Sequence, residues 1–514
     1  MTGDRVLARN TLLNFAGQLL PAIAAFIAVP ILVRAIGLTR FGILTLVWTA
    51  VGYFSLFDFG IGRALTHAIA TRLGAVPSEG VAHSDREHHV EDMAAVTWTA
   101  LFVLLILGMV GGLIVFVATP TLVARVLNIP AEMQPEARSA FYILSLALPL
   151  TLLTLGLRGV LEAFQDFGVA TALRLPLAVL SYFAPIAVLP FSHDLIPIVG
   201  SLFVARLLGL LLHLWACARR YAFMRRPTTA RASLLGPLLG FGGWMTVSNV
   251  VSPLMVNLDR FMVGALLPMA SVAYYTTPYE AVAKIWLIPA ALLGVLFPAF
   301  AAAFAGASDR TAILLDRGVR VTIVAVFPIC LAVVALAHEG MGLWIGSDFS
   351  KQSAPLMQWL AVGVFINSAA QVAFTALQGT GRPDQTAKLH LIEFPLYAAA
   401  VWLLARAYGL TGVAIAWDLR VTVDAILLFA LVAKQVPSAR ARLVTSYRAV
   451  TVAVALMIGA ALMQTSATRV AAFVAGLIVF AGLTWTTLIR IDERDLLKRW
   501  LKGLTARGGF AESA

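Results

Sequence analysis

Apolar runs of roughly 20 residues or more succeed one another along this chain, each long enough to cross a bilayer core of about 30 Å. Inside hydrocarbon every backbone N–H and C=O needs a partner within the protein, so only helices and closed barrels can span it. A barrel strand needs only about 10 residues of alternating polarity, and these runs are longer and do not alternate. Charged residues are 12% of the 514, about half the roughly 25% of a soluble domain. The expected fold class is an all-α polytopic membrane protein of about 14 transmembrane helices. They are placed near 11–36, 41–70, 94–119, 139–160, 168–191, 195–217, 236–266, 272–303, 315–337, 354–377, 387–408, 410–432, 447–465 and 469–489. Arg5 and Arg9 precede the first run as in a signal peptide. That run exceeds the usual length of about 7–15 apolar residues and a second follows at once, so an uncleaved first helix is expected.

The net charge of +12 would suit a nucleic-acid partner if it were clustered outside the membrane pattern. With the N-terminus inside and fourteen crossings, 25 of the 38 Lys+Arg fall in cytoplasmic segments, 7 at the outer side and 6 in the membrane. The densest clusters are Arg219, Arg220, Arg225, Arg226 and Arg231, then Arg440, Arg442 and Arg448, then the C-terminal tail. This positive-inside bias places both termini in the cytoplasm and leaves no nucleic-acid partner to expect.

The expected organisation is an N-terminal six-helix lobe (1–218), a basic cytoplasmic linker (219–235), a C-terminal six-helix lobe (236–433), helices 13 and 14 (434–489) and a cytoplasmic amphipathic tail (490–514). In the tail, Leu496, Leu497, Trp500, Leu501 and Leu504 share one helical face, as in an interfacial helix. A faint repeat relates the lobes. Residues 161–168 precede span five, 216 positions before residues 377–384 ahead of span eleven. Asn14 and Pro30 of span one are matched by Asn249 and Pro253 of span seven, a pattern of related halves found in transporters.

Soluble-enzyme chemistry is missing from the sequence. There is no Walker A loop and no GxSxG elbow, so no enzyme and no cofactor are expected. The polar insert Thr71–Asp92 holds His83, His88 and His89 without HxxxH or HExxH spacing, so a flexible cytoplasmic loop rather than a metal site is expected. Cys217 and Cys330 form no CxxC pair and suit apolar filling.

Function is to be sought in the charges that lie within the spans, because each costs roughly 2.5–3.5 kcal/mol near a bilayer centre. Six are basic (Arg63, Arg174, Arg206, Arg260, Lys284, Arg420) and six acidic (Asp58, Asp259, Glu280, Glu393, Asp418, Asp424). Glu280 with Lys284 and Arg420 with Asp424 stand four apart, so mutual neutralisation along one helix is sufficient for both pairs. Asp259 and Arg260 point apart and need partners elsewhere. Arg174 and Arg206 have no acid at helical spacing; a carboxylate from another helix, water, or an anionic ligand must stabilise them. The first six spans carry a buried charge of +2 and the next six −2. Either the first lobe contacts an anionic group such as phosphate, for which arginine offers paired donors, or the excess charges pair between lobes. Asn14 and Gln18, Asn367 and Gln371, and Ser248 and Asn249 either hydrogen-bond sugar hydroxyls in a wet cavity or join helices. Pro21, Pro30, Pro278, Pro289 and Pro298 suggest kinks around such a cavity.

Several stretches resemble the Wzx-type lipid-linked oligosaccharide flippases of bacteria. They are Pro30 through Gly37 to Phe41-Gly42, Phe57-Asp58-Phe59-Gly60, residues 257–264 (NLDRFMVG), residues 273–280 (AYYTTPYE) with Phe297-Pro298, residues 377–383 (LQGTGRP) and residues 409–417 (GLTGVAIAW). The resemblance covers most of the chain and is weakest in the last two spans. It implies the superfamily of multidrug exporters and the lipid II flippase, with two six-helix bundles about a central cavity and alternating access. It further implies transfer of an undecaprenyl-pyrophosphate-linked oligosaccharide from the cytoplasmic to the periplasmic leaflet of the inner membrane, for surface polysaccharide. On that basis Arg174 and Arg206, then Arg63, Arg260 and Lys284, are expected to contact pyrophosphate or anionic sugar, with Asn14, Gln18 and Asn249 beside them. Asp259, Glu393 and Asp418 are expected to serve ion coupling. Membrane lipids surround the protein, a polysaccharide polymerase or other biosynthesis proteins are candidate partners, and a monomer is expected. The rival readings are a lipid II flippase, a cation-coupled multidrug exporter, which usually stops at about twelve spans, and a membrane polymerase, which the short outer loops disfavour.

Overall fold

The computed structural model describes residues 2–54, 58, 60–74, 83–225, 231–236, 255, 257–304, 308–489 and 494. Among these, thirteen α-helices follow in order: α1 (Thr2–Tyr53), α2 (Ile61–Gly74), α3 (His83–Thr121), α4 (Gln134–Ala163), α5 (Phe167–Val188), α6 (Leu195–Arg220), α7 (Ala270–Ala283), α8 (Leu287–Phe304), α9 (Ser308–Trp344), α10 (Ser347–Gly379), α11 (Pro383–Gln435), α12 (Pro437–Ala461) and α13 (Ser466–Leu483). Residues 257–266 are helical too. Ten stretches among the described residues are long and apolar enough to cross a bilayer. The chain is an all-helical, multi-pass membrane protein. A lipid-facing side is visible on α3, where Phe102, Ile106, Met109, Leu113 and Val117 form an exposed apolar stripe at the three- and four-residue spacing of one helix face.

Helices α1 and α11 hold 52 and 53 residues, roughly 80 Å at about 1.5 Å per residue and far more than one crossing. Each contains a glycine in a backbone region that other residues rarely adopt, Gly37 (φ 76°, ψ 165°) and Gly409 (φ 61°, ψ −139°). The span edges expected at 36 and 41, and at 408 and 410, coincide with these two glycines.

Three expectations need correction. Residues 41–70 do not form one helix: α1 stops at Tyr53 and α2 starts at Ile61. Between them Gly60 takes φ 75° and donates its N–H to Asp58 Oδ1 at 2.8 Å, so Asp58 fixes a turn. Residues 272–303 are interrupted by a 3-10 turn at Lys284–Trp286, because Pro289 lacks the N–H that would bond the Ile285 carbonyl. The insert Thr71–Asp92 is not a loop to its end, since α3 starts at His83.

The chain divides into two compact units, residues 1–277 with 398–410, and residues 278–397 with 411–514. In the first, α3 meets α4 through Gly108 and Gly112, whose missing side chains admit Pro149 and the Ser145 carbonyl. Glycines four apart allow backbones to approach this closely in membranes. Arg40, just past the Gly37 turn, donates to both Glu136 oxygens at 2.9 and 2.6 Å, and Glu136 also accepts from the Leu195 N–H at 3.2 Å. One carboxylate thus ties α1 to the starts of α4 and α6. In the second unit, the ring of Phe327 of α9 packs against that of Phe480 of α13, with centroids 3.9 Å apart and planes tilted by 30°. Asp316 and Arg320 form a buried pair at 3.2 Å on α9, and Arg320 also donates to the Leu488 carbonyl. Cys217 and Cys330 are buried and free.

Candidate functional site

Four helices of the first unit each turn a stripe of residues toward one cavity of about 430 Å³. From α4 come Thr151, Thr154, Leu155 and Arg158; from α5, Arg174, Leu177, Ala178, Ser181 and Tyr182; from α6, Arg206, Gly209 and His213. Helix α1 adds Trp48, Val51 and Gly52, with Pro21 beside them. Spacings of three, four and seven place each set on one helix face. Gly209 brings α6 against Leu177 of α5, where a Cβ would stand 3.2 Å from Leu177 Cδ1. Arg174 reaches across to α1 and lies over Gly17, whose Cβ would sit 2.8 Å from a guanidinium nitrogen.

Among the described residues the lining carries three guanidiniums and one imidazole, and no carboxylate. Arg158 is engaged by Glu162 at 2.7 Å, one turn along α4. Among the described residues Arg174 and Arg206 have neither a salt bridge nor a side-chain hydrogen bond. Among the described residues no carboxylate pairs with either, and Glu162 of α4, itself held by Arg158, acts on Arg174 only through space. His213 is buried and its Nδ1 lies 2.8 Å from the Gly209 carbonyl. That fixes the proton on Nδ1 when the ring is neutral and leaves Nε2 as an acceptor. Such a donor-rich cavity suits an acceptor-only anion, and phosphate oxygens above all.

The remaining expected residues lie elsewhere. Arg63 is exposed on α2 and does not line the cavity. Asp259 and Arg260 are buried; Asp259 accepts from the Tyr275 hydroxyl at 2.6 Å and from the Arg260 N–H at 2.8 Å. Arg260 Nη1 donates to Thr49 Oγ1 at 3.4 Å, so both residues tie the helical segment 257–266 to its surroundings. Lys284 pairs with Glu280 at 3.4 Å, as the helical spacing predicts, on a half-exposed face. Asn249, the side chains of Asn14 and Gln18, and the tail helix lie outside the described residues.

A second cluster occupies the other unit. His390 and Glu393 of α11 face Arg420 and Asp424 of the same helix beyond Gly409. Arg420 does not neutralise Asp424, as spacing alone suggests; it approaches Glu393 at 4.0 Å, while Asp424 approaches His390 Nε2 at 3.6 Å. The turn at Gly409 makes the opposite limb nearer than the next helical turn. Glu393 and Asp424 are 5% and 3% exposed, and both Glu393 oxygens lack a hydrogen-bond partner. One ligand atom each from His390, Glu393 and Asp424 lies within 4.8 Å of the others, a set that could hold a metal ion. Asp418 is buried apart from them, over Gly363 of α10, with both oxygens unpartnered. Sequence reading missed Arg158, His213 and Trp48 in the cavity and His390 in the cluster. The available signal was the repeated helical stripe of polar residues in otherwise apolar spans.

Comparison with known proteins agrees with this architecture. Residues 7–304 match the family model described as "Polysaccharide biosynthesis protein". The "Putative O-antigen transporter" of Shigella flexneri is 28% identical over 429 residues, which is 82% of this chain and 96% of that protein. Among solved structures, an inward-facing multidrug resistance MATE family transporter of the MOP superfamily superposes with a TM-score of 0.68 at 15% identity, covering 82% of this chain and 95% of that one. The lipid II flippase MurJ in an inward closed conformation gives 0.66 at 12% identity, covering 95% and 99%. The fold is that of MATE transporters and MurJ.

Proposed function

The chain belongs to the polysaccharide biosynthesis protein family, a family of membrane transporters rather than enzymes, and on that premise we propose that it flips a lipid-linked oligosaccharide. The cargo in this reading is an undecaprenyl-pyrophosphate-linked O-antigen, capsule or exopolysaccharide unit, moved from the cytoplasmic to the periplasmic leaflet of the bacterial inner membrane by alternating access. Fourteen crossings with both termini cytoplasmic, and lobes at 1–218 and 236–433, complete the reading. A monomer serves, with a polymerase or other biosynthesis proteins as candidate partners.

The observation that carries it is the pair of arginines, Arg174 and Arg206, unpartnered among the described residues and lining a cavity whose described lining holds no carboxylate. A diphosphate carries the opposite charge and only acceptors. A cationic drug would meet the two unpaired guanidiniums of Arg174 and Arg206, which disfavours the multidrug reading. The S. flexneri relative's name points to the same class of cargo. The cluster of His390, Glu393 and Asp424 is the better candidate for ion coupling, with Asp418 apart from it and Asp259 committed to Tyr275.

Arg206→Ala should reduce surface polysaccharide at matched protein level. A charge-assisted hydrogen bond of about 1.5–3 kcal/mol corresponds to roughly 10–100-fold in affinity. Arg206→Lys should restore part of the activity. Unchanged polysaccharide in the alanine variant would remove the central support for the proposal.

A further inference from the structure

The polar groups of the first-unit cavity are segregated by hydrogen-bonding sense. Its arginines can only donate. Its three aliphatic hydroxyls have already donated: Thr151 to the Ala147 carbonyl at 2.9 Å, Thr154 to Leu150 at 2.7 Å, and Ser181 to Leu177 at 3.0 Å. A hydroxyl has one proton and two lone pairs, so these three oxygens remain only as acceptors. A phosphate, itself acceptor-only, has no use for them, whereas a sugar hydroxyl can donate to them.

Two aromatic rings lie beside these acceptors. Trp48 and Tyr182 line the cavity with ring centroids 5.4 Å apart, tilted 55°. Phe41 braces Trp48 edge-on at 6.1 Å. The Trp48 indole N–H is buried without a partner, and such a donor usually finds one when buried. One turn on, Gly52 leaves open space where a side chain would stand. A flat apolar ring flanked by hydroxyl acceptors matches a pyranose, which has an apolar C–H face and a rim of hydroxyls. The volume of about 430 Å³ is at the low end of small-molecule sites, which run from roughly 300 to 1,000 Å³. It suits a diphosphate with one ring rather than a chain of sugars.

We infer that Trp48 and Tyr182, with Thr151, Thr154 and Ser181, form a subsite for the sugar ring attached to the diphosphate. This rests on the proposed flippase function and adds to it a specificity that charge alone cannot supply.

The test is binding to the purified full-length protein in lipid nanodiscs, with undecaprenyl pyrophosphate and the same lipid bearing one hexosamine as probes. The wild type should bind the sugar-bearing lipid about ten-fold more tightly. Trp48→Leu and Thr154→Val should each remove most of that margin, bringing the affinities for the two lipids within about two-fold of each other. Trp48→Phe, which keeps a ring, should retain part of it and shows that the site still folds. A wild type without the margin, or leucine and valine variants that keep it, would overturn the subsite. If Arg206→Ala still weakens the sugar-free lipid in that case, the flippase reading survives. If the wild type binds neither lipid, both proposals fall together.

Discussion

Arg174 owes its position to a residue with no side chain. Its guanidinium lies over Gly17, and an added Cβ would come within 2.8 Å of it. The group displaced is the far end of a flexible chain, so Gly17→Ala should cost little stability; alanine even gains roughly 0.5–1 kcal/mol of helix propensity over glycine. Transport should nevertheless fall several-fold, because the guanidinium is pushed from the cavity wall. The check is unfolding temperature in detergent beside surface polysaccharide in cells. Full transport with an unchanged melting temperature would mean that Arg174 need not sit there. Arg174 and Arg206 were legible in the sequence because no acid stands three or four residues away. Arg158 was hidden by Glu162 at that spacing and by its place at the edge of a span. A lone His213 in an apolar run reads as core, and only the juxtaposition of α4, α5 and α6 shows what it faces.

At the scale of elements, α11 shows both how far spacing reasoning goes and where it stops. The break near residue 409 is visible in the hydropathy pattern. The pairing of Arg420 with Glu393 is not, since it depends on how the limbs beyond Gly409 face each other. A helical pair four apart is worth only about 0.2–0.5 kcal/mol, so a buried group on the opposite limb readily displaces it. Gly409→Ala should therefore be costly, about 1–3 kcal/mol for a side chain in that backbone region, and should lower the unfolding temperature. Gly340→Ala is the control: it sits inside α9 with open space around it and should be neutral or stabilising. Equal melting temperatures for the two variants would show that the turn relaxes at no cost. Gly37→Ala should behave as Gly409→Ala does, because its dihedral angles lie in a comparably restricted region.

Among the described residues the two units hold different charged clusters: the first gathers guanidiniums around a cavity, and the second gathers two carboxylates beside a histidine and Arg420. By formal charge Glu393, Asp424 and Arg420 sum to one net negative, which a single proton or monovalent cation would balance. Burying such a net charge uncompensated is expensive, so occupancy by a cation should bias which conformation the protein holds. Any such bias acts reciprocally on cargo affinity. A ten-fold gradient of a singly charged cation supplies about 1.4 kcal/mol per ion, a ten-fold shift in an equilibrium. Flipping in proteoliposomes should therefore respond to an imposed proton or sodium gradient. Glu393→Gln and Asp424→Asn should flip at a rate indifferent to either gradient, and their affinity for undecaprenyl pyrophosphate should no longer vary with proton or sodium concentration, although no cavity residue has changed. A Glu393→Gln protein that still follows the gradient would place the coupling elsewhere, and Asp418→Asn would be the next variant to measure. Loss of lipid binding together with gradient response would instead show that the carboxylates act on cargo affinity itself.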